Sequence, residues 1–363
     1  MEALNPWVEL TPTPTGWSGS FACQVSILPL EMRQKLRWGF NAAALLSEAL
    51  DRQKLFIESQ FHGDPLREPA SGERALALRC HQVPGEGLLL ALVGKVQAAT
   101  ESQTYQKALE YCREVTSTFP YDYKLSPAST REMFERLTGQ ALFLACESVQ
   151  SIARLLRFES QIRTQKNLAY VTGFWQSTER ADEQIWRAMA GYPHPALLNI
   201  TLQPGILEAD ERQLLWDMKS VAAAPVQEIS NLHPIQPFEK WVEAFIERRL
   251  NPWKRYYLLQ VHLLCPAGVT HALARPIGAA LTRETADLLS PGFLIVYPAN
   301  STNRQEWKTR IRQLELTSTP FHPAHLASLS NLADLNETCA VFRLPYPHEP
   351  GLPGVTFLEP LEK

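Results

Sequence analysis

The sequence predicts an α/β chain of mixed α+β character, made of two or three α/β sandwich units of the split βαβ kind. A Pro/Gly-rich C-terminal connector closes it. Three observations carry this prediction. Arg74–Val83 alternates in hydrophobicity, the apolar stretch Leu88–Ala98 returns after the turn Pro84-Gly85-Glu86-Gly87, and a helical pattern follows at once. A strand–helix–strand rhythm then recurs between Leu168 and Leu316. The 27 prolines fall at the joints of that rhythm and not in one tract.

Taken in order, residues 9–20 (ELTPTPTGWSGS) read as an irregular leader. Phe21–Leu28 has strand composition and Pro29 ends it. From Glu31 to Leu50, apolar residues at three- and four-residue spacing predict an amphipathic helix, with a short strand near Leu55–Phe61. The hairpin follows, and Ser102 to about Ser117 is a helix with Tyr105, Leu109, Cys112 and Val115 as its stripe. Phe119-Pro120 closes this first unit. Residues 125–152 read as helical, with Pro127 in the first turn. Leu168–Ser177 and Ala196–Leu202 are strands around a helix at Glu179–Ala190, and Ala209 to about Val221 is a helix with acidic residues at its start. Pro237–Leu250, Thr270–Leu289 and Arg304–Leu316 read as helices, Tyr256–Leu264 and Phe293–Tyr297 as strands. The expected organisation is thus a leader (1–20), three α/β units (21–124, 125–230 with a helical insert, 231–340) and a connector (341–363). No sequence repeat at a fixed period is detectable.

Composition narrows function by exclusion. The chain has 363 residues, a formal net charge of −3 and 45% apolar residues. Cores of real size follow, and neither general disorder nor global attraction to nucleic acid fits. Six cysteines spread without a CxxC argue against a zinc ribbon and for reduced thiols in a cytoplasmic protein. The N-terminus lacks a signal-peptide pattern, and no apolar run approaches the length of a membrane span, so no membrane insertion is expected.

No catalytic residue, cofactor site or metal site can be assigned. Gly87–Val96 holds Gly94-Lys95, but the glycine spacing is wrong for a phosphate loop and Val96 stands where Ser or Thr would bind Mg²⁺. On a strand, His262 and Cys265 face apart, and His322 with His325 lacks an accompanying carboxylate, while His271 adds no credible third ligand. Cys80 and His81, as strand neighbours, also face apart. Trp175, Trp186, Trp216, Trp241 and Trp253 read as core anchors before base-stacking platforms. Arg304, Lys308 and Arg312 share a helix face and are the candidate nucleic-acid contact.

The closing segment differs in kind. Ala340-Val341-Phe342 reads as a short strand leading through Arg343-Leu344-Pro345 into a connector stiffened by Pro345, Pro347, Pro350 and Pro353. Phe342 and Tyr346 are apolar anchors, and Arg343 is a fork suited to a backbone or carboxylate contact. Phe342, Arg343, Leu344, Pro345 and Tyr346 are therefore the expected docking residues.

Phe342-Arg343-Leu344-Pro345 followed by Gly351-Leu352-Pro353-Gly354 resembles the junction in HerA/FtsK-superfamily ATPases, including the conjugation-type ATPases of bacterial type IV secretion. Only residues 340–354 match as a motif. The order of elements is similar as a pattern, including LNITLQPGILEADE at Leu198–Glu211. In that family an N-terminal α/β region precedes a RecA-like motor that uses Walker A and Walker B motifs. Neither motif is present here, so no catalytic residue carries over. The resemblance implies either the N-terminal portion of an ATPase whose motor follows Lys363 or a stand-alone relative without the motor. The expectation is a non-catalytic assembly module that meets copies of itself or a P-loop ATPase. The alternatives are a DNA-associated adaptor using Arg304–Arg312 and an enzyme whose scattered site has no sequence signature.

Overall fold

The computed structural model describes residues 6–28, 42–60, 74–163, 168–177, 181–223, 237–251, 254–266, 271–282, 292–318, 327–346, 352 and 354–358. The strands are β1 (Glu9–Thr13), β2 (Gly16–Ile27), β3 (Arg74–Val83), β4 (Gly87–Ala98), β5 (Tyr123–Pro127), β6 (Ser148–Arg154), β7 (Leu156–Arg163), β8 (Leu168–Thr172), β9 (Ala196–Gly205), β10 (Tyr256–Cys265), β11 (Phe293–Val296) and β12 (Leu332–Asp334). The helices are α1 (Ala42–Gln60), α2 (Glu101–Thr118), α3 (Arg131–Thr138), α4 (Gln140–Ala145), α5 (Ala181–Ala190), α6 (Ala209–Ala223), α7 (Pro237–Arg249), α8 (His271–Leu281), α9 (Ser301–Arg312), α10 (Ala327–Asn331) and α11 (Leu335–Val341).

Ten strands form one antiparallel sheet, and β7–β8 is a separate hairpin. The mixed α/β class is as the sequence predicts. The sheet contains two copies of one topology. In the first half β2, β3, β4 and β5 lie in the order β5–β2–β4–β3, with α1 and α2 as connections, which is a split βαββαβ unit. In the second, β6, β9, β10 and β11 lie in the order β11–β6–β10–β9, with α5 and α8 in the matching places. β9, from the expected second unit, and β10, from the expected third, are therefore neighbours in one sheet.

The halves join edge to edge through β3 and β9. Leu76 lies opposite Leu202 and Gln82 opposite Ala196, so the local two-fold axis passes by the Arg79–Asn199 pair. The same axis carries Leu78 onto Leu198, and through the neighbouring registers Val25 onto Ile152, Leu90 onto Val261 and Leu125 onto Ile295. All eight face one core. The second half carries two insertions, the β7–β8 hairpin and α6 with α7. They change the separation between equivalent strands along the chain, so no fixed period exists for a sequence search to find.

Helices cover both faces. α1, α2, α5, α8 and α11 pack on one face around Phe21, Leu78, Leu92, Tyr111, Trp186 and Ile277. On the other face α3 sits over Ala77, Ala91 and Val93, while α4 and α9 sit over Val149, Leu197 and Leu264. α6 and α7 pack around a further core of Phe174, Leu214, Met218, Phe245 and Leu258.

Several expectations are corrected. The supposed leader contains β1 and the start of β2, paired from Glu9–Ser20 to Thr13–Gly16. Pro12 is tolerated there because β1 is an edge strand. The expected strand near Leu55 is the end of α1 up to Gln60, since Phe56 and Ile57 continue its buried face. Residues 125–152 are not one helix. They run through β5, α3, α4 and the start of β6, divided by Gly139 in the left-handed conformation (φ 75°) that ends α3. Residues 31–41, 252–253, 267–270, 283–291, 319–326, 347–351, 353 and 359–363, on which parts of the expected elements and connector fall, lie outside the described residues.

Candidate functional site

The apolar run at Ala340–Phe342, expected as a strand, begins inside a helix. Asp334-Leu335-Asn336-Glu337 forms a capping box: the Asp334 carboxylate accepts from the Glu337 amide at 2.9 Å and the Glu337 carboxylate from the Asp334 amide at 3.1 Å. This reciprocal pair fixes α11 from Leu335 to Val341 and overrides the strand preference of Val341 and Phe342.

Glu337 does more than cap. Its carboxylate receives Arg249 Nη1 at 2.6 Å and Nη2 at 3.0 Å, Arg154 Nη1 at 3.0 Å and the Trp175 amide at 3.3 Å. The Glu337 and Arg249 side chains are 0% exposed and Arg154 1%. Arg154 also donates to the Ser330 carbonyl at 2.6 Å. At the rim Asp334 Oδ2 lies 2.8 Å from Lys254 Nζ and 3.9 Å from Arg248. The Arg248 guanidinium stacks 4.4 Å over the Phe174 ring. Burial would push the Glu337 carboxyl up, but the guanidiniums of Arg249 and Arg154 outweigh it and hold the pKa at about 2. Burial holds Arg154 down at about 10. This joint ties α11, the end of α7, the end of β6 and the segment before α5 into one piece.

α11 leads directly into a strap. Phe342 and Leu344 are 2% and 3% exposed and belong to the main core. The Leu344 amide donates to Gln53 Oε1 at 3.0 Å, Gln53 Nε2 to the Tyr123 hydroxyl at 3.2 Å, and that hydroxyl to the Pro345 carbonyl at 2.9 Å. The Tyr346 amide donates to Asp182 Oδ2 at 3.3 Å, beside the Trp186 indole N–H at the same distance. Burial pushes the Asp182 carboxyl up, with Arg343 and these donors opposing it. Farther on, the Leu88 amide donates to the Thr356 carbonyl and the Leu358 amide to the Leu88 carbonyl, each at 2.8 Å. Gly87 (φ 119°) permits this approach, because a Cβ there would lie 2.6 Å from the Thr356 oxygen. Among the expected docking residues, Phe342 and Leu344 therefore have their side chains in this chain's own core, the Pro345 carbonyl binds β5 and the Tyr346 amide binds α5.

A third buried guanidinium, that of Arg79, sits on the two-fold axis. Arg79 Nε donates to Asn199 Oδ1 at 2.9 Å, Nη1 to the Thr138 carbonyl at 2.6 Å and Nη2 to the Ile311 and Arg312 carbonyls at 2.8 and 3.3 Å. These carbonyls end α3 and α9, so the guanidinium meets the negative ends of two helices. Burial, aided by the charge of Arg312, lowers its pKa to about 9. His81 and His262, on the same face of the sheet, are held low by burial, to about 3. His262 Nε2 meets Thr317 Oγ1 at 3.0 Å.

The proposed nucleic-acid face is divided. Arg304 and Arg312 are exposed, whereas Lys308 is half-buried and donates to the Cys146 carbonyl at 2.9 Å, ending α4. Lys95 lies in β4 and pairs with Glu315 at 3.0 Å. Trp175 and Trp186 are core anchors, and Trp216 is exposed. Trp253, His322 and His325 lie outside the described residues, as do the side chains of Trp241 and His271. Among the described residues no group of His, Cys, Asp and Glu could hold a metal ion, and no helix is long and apolar enough to cross a membrane. Sequence reasoning missed Arg79, Arg154, Arg249 and Glu337. Two signals were present: an arginine inside the apolar strand ALALRCHQV, and the capping spacing of Asp334 and Glu337. No family model matches the chain, and no curated protein is significantly similar to it.

Proposed function

We propose that the chain is a non-catalytic assembly module acting through protein–protein contacts, of the kind that precedes the motor in HerA/FtsK-superfamily ATPases. It meets copies of itself or a P-loop ATPase. The observation that carries this reading is the continuity of the Glu337 joint with the strap. Its buried charges fasten elements to one another, and α11 leads directly into residues 342–346, which bind α1, β5 and α5, while residues 354–358 bind β4. A strap held in this way is part of the rigid body and suits a positional role, in which a partner is held at a set distance and angle. The strongly shifted ionisable groups Glu337, Arg154 and Arg79 likewise serve as joints between elements.

Light scattering and affinity capture of the folded chain test the proposal. Self-association or recovery of a P-loop ATPase supports it, and a strict monomer that retains no ATPase removes it. The exposed pair Arg304 and Arg312 tests the DNA-adaptor alternative. Retention on DNA that is unaffected by Arg304→Glu with Arg312→Glu, and by salt, rejects that reading.

A further inference from the structure

The sheet holds a slot that the chain fills with its own closing segment. β2 pairs with β4 from Trp17 to Gln24 and with β5 from Cys23 to Ile27, so past Gln24 it turns to β5 and parts from β4. Thr356–Leu358 takes the place it leaves, parallel to β4, with Phe357 bridged to Leu88. Besides the main-chain bonds to Leu88, the Gln24 side-chain amide donates to the Leu358 carbonyl at 3.4 Å. The Phe357 ring meets that of Trp186 edge to face at 6.3 Å. Gln24 and Trp186 are 1% exposed and Leu88 0%. Gly87 leaves the space that the Thr356 carbonyl enters.

We propose that this slot is a peptide-binding site for an extended segment with an aromatic residue, and that two copies of the chain exchange Leu352–Leu358 through it. The choice of a second copy rests on the assembly role proposed above. A strand added to a sheet edge draws affinity from main-chain bonds and specificity from alternate side chains. Both are present. Phe357 packs on the core beneath α5, and the next residue, Leu358, packs on the core of the opposite face beneath α3.

A second copy is the occupant because each copy already carries the sequence that fits. Exchange trades every bond at Leu88 and Gln24 for an identical one, so no contact is lost. The resident segment is also lightly held. Among its described residues only Leu352 is buried, Thr356 is exposed, and Val355, Phe357 and Leu358 are half-buried around a single bridged pair. Such a segment opens locally at far lower cost than the strands beneath it. Five residues stand between Tyr346 and Leu352, a length of chain that can reach about 20 Å. Seated in its own slot, the segment masks it from other peptides at an effective concentration of about 1 mM.

The test uses the full chain and a fluorescein-labelled peptide of residues 353–360, PGVTFLEP. Phe357→Ala blunts the resident segment and leaves the slot intact, so by fluorescence anisotropy it should bind the peptide about ten-fold tighter than the wild type does. A peptide N-methylated at its leucine lacks the amide that donates to the Leu88 carbonyl and should not bind. Equal binding by both chains, binding by neither, or equal binding of the N-methylated peptide would overturn the site. For the exchange, a tagged Phe357→benzoylphenylalanine chain is irradiated with an excess of untagged Phe357→Ala chain. The expected product is a two-chain cross-link at Trp186 or Leu88 of the untagged copy, and cross-links within one chain only would overturn the exchange. Light scattering on the same sample separates the two ideas. Oligomers that give only intrachain cross-links overturn the exchange and leave the assembly role standing. Interchain cross-links from a strict monomer that retains no ATPase support the exchange and remove the assembly role alone.

Discussion

The two halves of the sheet share one topology but hold themselves together differently. The first is compact: a tight turn links β3 to β4, and its interior on the face covered by α1 and α2 is almost wholly apolar. The second has β7–β8 and α6–α7 inserted into the same plan; α6 and α7 bring a core of their own, and Arg249 at the end of α7 meets Glu337 and Arg154 in a buried ionic joint. An insertion must be fastened to what it interrupts. Apolar packing is non-directional, whereas a carboxylate held by two guanidiniums fixes position and angle. The ionic joint thus sits where α7 departs from the duplicated plan.

Glu337→Gln should have the largest effect. It leaves two buried guanidiniums without their counter-charge and should cost about 3–5 kcal/mol in a denaturant titration; a loss below about 1 kcal/mol would mean the joint is ornamental. The same carboxyl makes a pH prediction. Its folded pKa is depressed from 4.5 to about 2, so its contribution is complete above pH 4.5 and is lost as pH falls through about 2. The wild-type protein should lose stability across that window, and the glutamine variant should lack that part of the slope.

Next in size, Leu78→Ala and Leu198→Ala probe positions related by the two-fold axis in one core, and each should cost about 3 kcal/mol. Calorimetry that finds one far costlier than the other would show that the halves do not share the load. Arg79→Met, on the axis itself, strips the donor from Asn199 and from the ends of α3 and α9. It should cost about 2 kcal/mol, and faster amide exchange should concentrate at Thr138–Leu142 and Ile311–Glu315. Lys308→Ala removes a single donor to the Cys146 carbonyl and should lower the melting midpoint by the equivalent of about 1 kcal/mol.

Much of the fold was legible wherever local pattern and tertiary environment agree. The β3–β4 hairpin, α2, β9 and β10 follow from alternation and periodicity, because strands buried on both faces read as long apolar runs. β1 was hidden by Pro12, which an edge position tolerates. α11 was hidden because a capping box outweighs a short apolar run. The joint was least legible of all. Glu337 meets Arg249 and Arg154 across 88 and 183 residues, and no local pattern records such a meeting. Phe342 and Leu344 were legible as anchors, but the surface that receives them is assembled from α1, β5 and α5.

The β3–β9 seam also bears on the chain as it is being made. Until β9 emerges, β3 is a ten-residue, largely apolar edge with its outward amides and carbonyls open. Such an edge is a template for pairing with any similar strand, including the same strand on another nascent molecule. The partner that retires this hazard lies more than a hundred residues downstream, across α3, α4, β6 and the β7–β8 hairpin. The interval between synthesis of the two strands is thus a period in which the polypeptide is exposed to aggregation.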